Sequence, residues 1–567
     1  MRRLQVPAFV ARLLLLAGLC MQVPAAETPD PQQVEAALVK AVRFFHRQVS
    51  SHGGYLWEYS GDLTLREAEG RVTSNTLAWV QPPGTPTVGE AFLDAYEATG
   101  NTACLEAALD AAEVLLQGQM RTGGWGLHLE LDPVRRLEWG FRSVPPGKAS
   151  RWQRATAFDD DATPAAVRFL ARLDQLLAFQ DPPIHDAVLY ALDAILLAQY
   201  PNGSWFGWWE YYPKPASEKE FPVNQASYPH SWPRRPSDSP VRWPARYVLN
   251  DDVVTDAIRM LLDVWAIYRD DRYLAAAKKA GDFLLLAQMP DPQPGWCQQY
   301  DIDMKPCWGR KFEPPAITGA ESQNVMETLL VLYGRTNDKR YLDAVARALP
   351  YYKKSLLPDG RLARFYELKT NRPLYFNRNY ELTYAGDDLP THYGFLWESR
   401  LQAIEAEYRR LATTPGAPPA AKAPPDLAEL AARAIQVVEA LDGRGAWVER
   451  GTLRFHKIEP PSGIIRCQTF ADHVKLLSQF LIASRGPRAD QAVTAEAARH
   501  LLAEIRARRA QAASGPAPAA PARPDRGPLG EAERDRSLLE QLRELQREAE
   551  QLRREIDQLR QELPPPK

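Results

Sequence analysis

The chain of 567 residues has little net charge, few cysteines and, beyond its N-terminus, no long apolar run. Its formal net charge is −2, so it lacks the overall basic surplus that favours nucleic-acid binding. The spacing of its five cysteines does not match a zinc site. No stretch after residue 26 reaches the ~20 apolar residues that a membrane-spanning helix needs. An acidic ligand would therefore have to be held by a local basic cluster or by a bound cation.

The first 26 residues have the pattern of a secretory signal peptide. Arg2 and Arg3 precede an apolar run at residues 13–19, and the residues Val-Pro-Ala-Ala occupy positions 23–26. A basic start, an apolar centre and a small-residue end are the three parts of such a peptide. We therefore expect cleavage after Ala26 and export to the periplasm or the medium.

Removal of that peptide leaves Cys104, Cys297, Cys307 and Cys467. Export permits disulfide bonds. Cys297 and Cys307 flank one short loop, so they either form a disulfide or remain two buried thiols. The sequence leaves both possibilities open.

Helical periodicity extends over most of the region from residue 30 to residue 410. Apolar residues recur there at intervals of three and four, whereas the alternation typical of strands is scarce. The pattern predicts helices over residues 31–48, 88–116, 162–177, 185–200, 251–268, 271–289, 322–333, 339–356 and 391–411.

Similar turns recur between pairs of these helices. They read Gly-Gly-Tyr at 53–55, Gly-Gly-Trp at 123–125, Asn-Gly-Ser-Trp at 202–205 and Gly-Trp at 295–296. They lie roughly 65 to 90 residues apart, a spacing that suits a repeated helix pair. Such pairs bury their apolar faces by stacking or by closing into a ring. We therefore predict an all-α fold, an α/α barrel or toroid, over residues 27–412.

The segment 210–246 interrupts this pattern. It is rich in Pro, Trp, Tyr and Arg. A loop of this length inside a compact domain is usually functional or disordered, and the aromatic content argues against disorder.

The composition changes after residue 412. Residues 413–426 and 511–530 are predicted to be linkers rich in Pro and Ala, and residues 427–510 a small helical region. Residues 531–563 are predicted to form a coiled coil that oligomerises the chain or docks a partner. The seam of this coiled coil follows alternating spacings of four and three at Leu538, Leu542, Leu545, Ala549, Leu552, Ile556, Leu559 and Leu563.

Four clusters of polar residues lie beside helices in the central region. The first two, Phe-Asp-Asp-Asp-Ala-Thr at 158–163 and Asn-Asp-Asp at 250–252, stand at helix starts. Acids at a helix start also suit capping and the helix dipole, which is a purely structural role. The third comprises Trp-Cys-Gln-Gln-Tyr-Asp at 296–301 and Gly-Arg-Lys-Phe-Glu-Pro at 309–314. The fourth comprises Ala-Arg-Phe-Tyr-Glu at 363–367, Thr-Asn-Arg-Pro-Leu-Tyr at 370–375 and Arg378.

In this order the clusters resemble those of the pectate lyases of polysaccharide lyase family 10. The resemblance is strongest over residues 155–378, and the segment Arg-Phe-Tyr-Glu…Thr-Asn-Arg-Pro is its most specific part. It implies a lyase that cleaves polygalacturonate, an acidic polysaccharide, by calcium-assisted β-elimination, and a catalytic domain over 27–412.

The resemblance also implies roles for single residues. Asp160 and Asp251 would be Ca²⁺ ligands, and Asp159 would lie beside the ion at the cleavage subsite. Arg310 would occupy the position of the proposed catalytic base, although free arginine titrates above ~12. The substrate carboxylates would be held by Arg364 and Arg378, with Arg372 as a further candidate. A planar guanidinium matches a carboxylate in two parallel hydrogen bonds, although each arginine also suits a surface ion pair.

The sequence departs from the family at two places. The family usually has an amide after its first aspartate, whereas this chain has Asp160 there. The segment 210–246 looks like an insertion between the first two clusters. The sugar or the length of the substrate is therefore expected to differ from plain polygalacturonate.

Two other functions are compatible with these residues. A glycoside hydrolase of the same architecture could use Asp159 or Asp160 with Asp251 as acid and base on uronate-containing oligosaccharides. A non-catalytic protein that binds an acidic polysaccharide and assembles through its heptads is the third possibility.

Overall fold

The structure is a computed structural model that describes residues 29–72, 74–239, 247–414, 426–486 and 495–514. The predicted signal peptide and coiled coil lie outside the described residues, as do most of both predicted linkers. The chain divides into the units Met1–Arg506 and Ala507–Lys567. The described residues belong to the first unit, apart from the end of one helix. In the described part of the chain no helix has the length and apolarity to cross a membrane.

Helices dominate the described residues. Short helical turns of other types cover Phe45–Val49, Arg135–Glu138, Pro236–Asp238 and Asn250–Asp252. The α-helices are α1 (Pro31–Phe44), α2 (Thr85–Thr99), α3 (Thr102–Gly118), α4 (Arg151–Arg154), α5 (Ala162–Leu176), α6 (Pro182–Ala198), α7 (Val253–Tyr268), α8 (Asp271–Ala287), α9 (Glu321–Thr336), α10 (Lys339–Lys354), α11 (Leu401–Thr413), α12 (Leu427–Glu439), α13 (Cys467–Arg485) and α14 (Ala495–Ser514).

Most helices predicted from periodicity are confirmed to within a few residues, but two predictions were wrong in part. The predicted helix 88–116 is two helices, because Gly100 adopts a left-handed conformation (φ 66°) that ends α2. The predicted helix 391–411 begins only at Leu401, and Leu396–Trp397 before it is a strand.

Consecutive helices form antiparallel pairs in two layers. In the first layer α2 packs on α5, α5 on α7, α7 on α9 and α9 on α11. In the second layer α1 contacts α12 and α3, α3 contacts α6, and α8 contacts α10. α13 packs closely on α2, so helices from the two ends of this unit are neighbours. This alternation of layers is the arrangement of an α/α toroid.

The three predicted repeat turns that contain tryptophan share one hydrogen-bonding pattern. The indole Nε1 of Trp125, Trp205 and Trp296 donates to a carbonyl oxygen of the preceding second-layer helix at 2.8, 2.9 and 2.7 Å. A glutamine at the end of that helix donates both to its own turn and to the next second-layer helix, as Gln199 does to Gly203 O and Ala276 O. These buried bonds fix the spacing between successive pairs.

Short strands link the repeats at the end of the unit where the first-layer helices begin. They are β1 (Glu58–Ser60), β2 (Arg66–Ala68), β3 (Gly70–Arg71), β4 (Leu77–Trp79), β5 (His128–Glu130), β6 (Thr156–Ala157), β7 (Trp208–Trp209), β8 (Tyr247–Val248), β9 (Gln299–Tyr300), β10 (Ala316–Thr318), β11 (Leu362–Ala363), β12 (Phe365–Glu367), β13 (Pro373–Phe376), β14 (Leu382–Thr383), β15 (Leu396–Trp397) and β16 (Ile464–Arg466).

The strand before a first-layer helix pairs with the strand that follows the next repeat turn. The antiparallel pairs β4–β5, β6–β7 and β8–β9 follow this rule. In addition, β10 pairs with β12, and β1 pairs with β16. The fold is therefore mainly helical rather than all-α. Strands of two to four residues are too short to give the alternating pattern by which a sequence predicts them.

Residues 427–486, predicted as part of a separate helical region, lie in the same compact unit as the first helices. α12 and α13 pack on α1, and α13 also packs on α2. Phe470 of α13 stacks on Phe45 with ring centroids 3.6 Å apart.

All four cysteines among the described residues are free and buried, including Cys297 and Cys307. Burial raises the pKa of both thiols. The alternative of two buried thiols is therefore the one that the structure contains.

Candidate functional site

Two acidic turns face each other where the first-layer helices begin. The first turn precedes α5 and carries Asp159, Asp160 and Asp161, and the second precedes α7 and carries Asp251 and Asp252. In each turn the last two acids have left-handed backbone, with φ of 50° and 56° in the first and 52° and 57° in the second. This conformation is uncommon for residues with a side chain, although Asp tolerates it better than most. Successive repeats thus hold their acids in the same backbone shape.

The two turns bring three carboxylates together. One oxygen each of Asp159, Asp160 and Asp251 lies within 4.8 Å of the others. The indole Nε1 of Trp208 donates to Asp159 Oδ2 at 2.5 Å, and Asn250 Nδ2 donates to Asp251 Oδ2 at 2.6 Å. Asp159 Oδ1 is buried and has no hydrogen-bond partner among the described residues.

Burial and repulsion by neighbouring acids raise the pKa values of all three acids. Burial and then the charges of Asp160 and Asp251 raise the pKa of Asp159 well above its ordinary value. Burial and the charge of Glu69 raise the pKa of Asp160 to about 6, and burial and the charge of Asp160 raise the pKa of Asp251 to about 8. A cation would relieve this repulsion, and a set of carboxylate oxygens fits Ca²⁺.

Arg310 reaches the acids from the loop between β9 and β10. Its Nη2 lies 3.5 Å from Asp251 Oδ2 and 2.6 Å from Glu313 Oε1, and its Nε donates to Glu313 Oε1 at 2.7 Å. Burial lowers the pKa of Arg310, but the hydrogen bond and charge of buried Glu313 outweigh burial and raise the pKa above that of free arginine. Glu313 therefore holds Arg310 in its protonated form.

A buried polar network connects the second acidic turn to α9 and to Arg364. Gln298 Nε2 donates to Asn250 Oδ1 at 2.8 Å and to Glu321 Oε1 at 2.6 Å. Arg364 Nη2 donates to the same Glu321 oxygen at 2.6 Å. The Arg364 side chain is 9% exposed, and its Nε has no partner among the described residues. Glu321 thus orients the buried guanidinium of Arg364, whose Nε can still donate a hydrogen bond.

Two clefts meet at the acids, and both are lined by Asp160 and Asp251. The first, the aromatic cleft, has a volume of about 400 Å³ and is also lined by Glu69, His128, Trp152, Phe206 and Trp208. The second, the arginine cleft, has a volume of about 370 Å³ and is also lined by Asp252, Asp256, Glu321, Asn324, Arg364, Tyr393, Trp397 and Arg400. A chain-like ligand that crosses the acids would occupy both clefts.

The structure brings together five of the predicted site residues, namely Asp159, Asp160, Asp251, Arg310 and Arg364. The other two lie apart and line neither cleft. Arg378 pairs with Asp388 at 3.0 Å, and its side chain is 73% exposed. The guanidinium of Arg372 lies 3.5 Å from the ring centroid of Tyr384.

Several residues that shape the site are not identified by the sequence patterns. Glu321 directly precedes the predicted helix 322–333, and Arg400 and Tyr393 fall in the segment that was wrongly predicted to be helical. Trp208 lies just after the predicted repeat turn at 202–205. That position was the one feature of the sequence that could have identified Trp208 as a site residue.

No protein-family model matches the chain, and no curated protein matches it in sequence. Solved structures with a similar arrangement include a family 10 polysaccharide lyase from Cellvibrio cellulosa, with 19% identity, 57% of this chain and 98% of that chain covered, and a TM-score of 0.38. A cellobiose 2-epimerase from Bacillus thermoamylovorans has 12% identity, coverage of 80% and 99%, and a TM-score of 0.42.

A GH76 α-mannanase from Bacteroides thetaiotaomicron has 11% identity, coverage of 81% and 97%, and a TM-score of 0.40. These neighbours are carbohydrate-active enzymes of different reaction types. Similarity at this level does not select one reaction, so the function has to be inferred from the geometry of the site.

Proposed function

We propose that the chain is a pectate lyase that cleaves de-esterified polygalacturonate by calcium-assisted β-elimination. The observation that carries the proposal is the group of three carboxylates within 4.8 Å of one another, at the junction of two clefts. Arg310 lies over this group and Arg364 lines one of the clefts. Acids for a cation, flanked by arginines for substrate carboxylates, are the residue types that this reaction requires.

β-Elimination in a uronate chain removes the proton at C5, next to the carboxylate, and expels the oxygen at C4. That proton is barely acidic while the carboxylate has its full charge. A bound Ca²⁺ would offset this charge and stabilise the negative charge that develops in the transition state. We assign Asp160 and Asp251 as the residues that hold the ion, with Asp159 beside it at the cleavage subsite.

Arg310 is the proposed catalytic arginine. In its pair with Glu313 it is protonated, which suits stabilisation of negative charge on the reacting sugar. The C5 proton also needs an acceptor, and Arg310 would take it as the base once substrate binding breaks the pair with Glu313 and the guanidinium has lost a proton to solvent. The expelled oxygen at C4 would take a proton from water. Arg364 is proposed to hold a uronate carboxylate in the arginine cleft, because its buried guanidinium has a donor left over. Arg372 and Arg378 are not part of this proposal.

A glycoside hydrolase remains the second candidate, and one observation favours it. Asp160 has its pKa raised to about 6 beside other carboxylates, which is the property that a general acid needs. In this mechanism Asp160 would protonate the leaving oxygen, and Asp251 or Asp159 would act as base or nucleophile.

One assay separates the two candidates. Purified protein is incubated with de-esterified polygalacturonate and Ca²⁺, and ultraviolet absorbance is followed together with new reducing ends. A lyase leaves a double bond conjugated with a carboxylate, so absorbance should rise, should stop on addition of EGTA and should resume with excess Ca²⁺. Reducing ends without absorbance would identify a hydrolase, and undiminished activity in EGTA would disprove the role of the cation.

A further inference from the structure

A groove runs along the exposed face of α1, apart from the two clefts that meet at the acids. Its volume is about 720 Å³, larger than that of either cleft, and its lining includes residues of α1 from position 32 to position 44. These positions span about 18 Å along the helix axis, which suits an extended ligand better than a single small ion. We call it the basic groove, and none of its lining residues lines the aromatic or the arginine cleft.

Positive charge dominates the lining of the basic groove. Among the described residues that form it, one acid stands against five cations, namely Glu35 against Lys40, Arg43, Arg47, Arg444 and Arg485. Glu35 pairs with Arg485 at 2.5 Å, and Asp442, which lies outside the lining, pairs with Arg444 at 2.9 Å. The other three cations have no carboxylate partner among the described residues.

These three cations lie close together on α1 and on the turn that continues it. Lys40, Arg43 and Arg47 are spaced three and four residues apart, and all three are exposed. Like charges at this spacing repel each other and destabilise a helix. Lys40 Nζ donates to a carbonyl oxygen, that of Asp442, at 3.1 Å, and this bond does not neutralise its charge. A bound anion would relieve the repulsion.

The other two cations of the lining are held in fixed positions. Arg444 Nη1 donates to Gly61 O at 2.7 Å, and the guanidinium carbon lies 5.6 Å from the ring centroid of Phe44. The side chain of Arg485 is 14% exposed, and its buried Nε has no hydrogen-bond partner among the described residues. The basic groove thus combines two guanidinium groups in fixed positions with three exposed cations that lack counter-charges.

The chemistry of this lining favours an acidic polysaccharide as the ligand. A guanidinium matches a carboxylate in two parallel hydrogen bonds, and several spaced cations suit the repeated carboxylates of a uronate chain. The two large apolar side chains of the lining, Val39 and Phe44, are each only 7% exposed. The described lining therefore offers no aromatic surface on which nucleic-acid bases could stack and no apolar anchors for a partner helix.

We propose that the basic groove is a second binding site for an acidic polysaccharide, which it holds by its carboxylates at a distance from the acids of the candidate site. With a single acid in its described lining, the groove is expected to bind the polymer without cleaving it. A polymer held on α1 would raise the effective concentration of its neighbouring segments at the clefts. This inference goes beyond the proposed function and does not depend on which reaction the acids catalyse.

Charge reversal at two of the exposed cations tests this inference. The double variant Arg43→Glu and Arg47→Glu should bind polygalacturonate about tenfold more weakly than the native chain, because two guanidinium donors become acids. Binding is measured by affinity electrophoresis in gels that contain the polymer, with EGTA present to suppress calcium-dependent binding at the acids. The difference should shrink at high salt, which screens exposed charges.

A matched control reverses the same number of charges on another second-layer helix. Arg347→Glu combined with Lys354→Glu changes two exposed positions of α10, and neither residue lines the basic groove or a cleft. Its affinity for the polymer should stay within about twofold of that of the native chain. Equal losses in the two double variants would show that net charge governs binding and would overturn the inference.

A milder variant guards against misfolding. Arg43→Gln combined with Arg47→Gln removes the repulsion on α1, so the melting temperature should not fall, while the affinity for the polymer should drop about threefold to tenfold. Unchanged binding by both Arg43 and Arg47 double variants overturns the inference. Unchanged binding with a lower sedimentation mass would also overturn it, by identifying the groove as a contact between copies of the chain. A native chain that binds polygalacturonate through this groove but cleaves none of it would uphold the inference and refute the proposed function.

Discussion

The repeat turns with tryptophan and the two acidic turns belong to the same repeats, but they differ in how well their side chains are satisfied. In the repeat turns, Trp125, Trp205 and Trp296 are fully buried, and each indole has a hydrogen-bond partner. In the acidic turns, Asp159 and Asp251 are pressed against like charges, and Asp251 also has left-handed backbone. The first kind of turn stabilises the fold, whereas the second is expected to cost stability, and the proposed cation site gives a reason for keeping it.

Removal of the acids should have the largest effect on activity. It should also show whether the acidic turns lower the stability of the fold. The double variant Asp160→Asn and Asp251→Asn keeps the shape of the side chains. At about pH 9, above the pKa values of about 6 and about 8 of the two carboxyls, it removes two charges from the proposed cation site. We expect kcat/KM to fall at least about 1000-fold. We also expect a higher melting temperature than that of the native chain in EGTA, because the repulsion is relieved.

Calcium supplies the control for this comparison. The native chain should melt at a higher temperature in Ca²⁺ than in EGTA, since an ion held by the proposed site would stabilise the folded state, and the double variant should lose that difference. A double variant that melts lower than the native chain in EGTA would mean that the acidic turns stabilise the fold, and the contrast with the repeat turns would then fail.

The sequence predicted the repeat turns and acidic turns for different reasons. Gly-Trp turns and helix periodicity are local signals, so they could be read directly, and Asp159, Asp160 and Asp251 stood at predicted helix starts. Contacts made across the sequence could not be read in this way. Gln298, Asn250 and Glu321 meet only because β8 pairs with β9 and α7 packs on α9.

The positions of the arginines likewise depend on contacts that the sequence alone does not predict. Arg310 and Arg364 are brought to the acids by the strand pairs beside them, whereas Arg378 lies on an irregular loop after β13 and pairs with Asp388. No periodicity distinguishes these three arginines in the sequence. Only the packing of their loops decides which guanidinium reaches the site.

A matched set of arginine variants should give the next largest effect. Arg310→Ala should lower kcat about 100-fold while binding of oligogalacturonate is largely retained, because Arg310 lies 3.5 Å from the proposed Ca²⁺ ligand Asp251 and is proposed to act on the reacting sugar. Arg364→Ala should mainly raise KM, about tenfold, through loss of a charged hydrogen bond. Arg378→Ala should stay within about twofold of the native chain, as an exposed ion pair contributes little.

These three variants are compared by steady-state kinetics and by calorimetric binding of the same oligosaccharide. If Arg310→Ala abolishes binding as well, Arg310 is a substrate clamp and not the catalytic arginine. If Arg378→Ala loses as much activity as Arg364→Ala, the arginine cleft does not mark the path of the substrate.

The smallest expected effect on activity comes from a repeat turn far along the chain from the acids. Trp447 is 3% exposed and donates from Nε1 to Val437 O at 2.8 Å, in the same pattern as the other repeat turns. Trp447→Phe leaves that carbonyl without its partner, so unfolding should become easier by about 1–3 kcal/mol while kcat/KM stays unchanged. Chemical denaturation at constant Ca²⁺ measures the change.

The control for this variant is Trp265→Phe. Trp265 is partly exposed, and its Nε1 donates over 3.3 Å to the exposed carboxylate of Asp271, which water can satisfy instead. Its loss should therefore cost less than that of Trp447. Equal stability losses in the two variants would show that the buried indole bond is not what holds a repeat turn, because the shared change from Trp to Phe would then account for the whole effect.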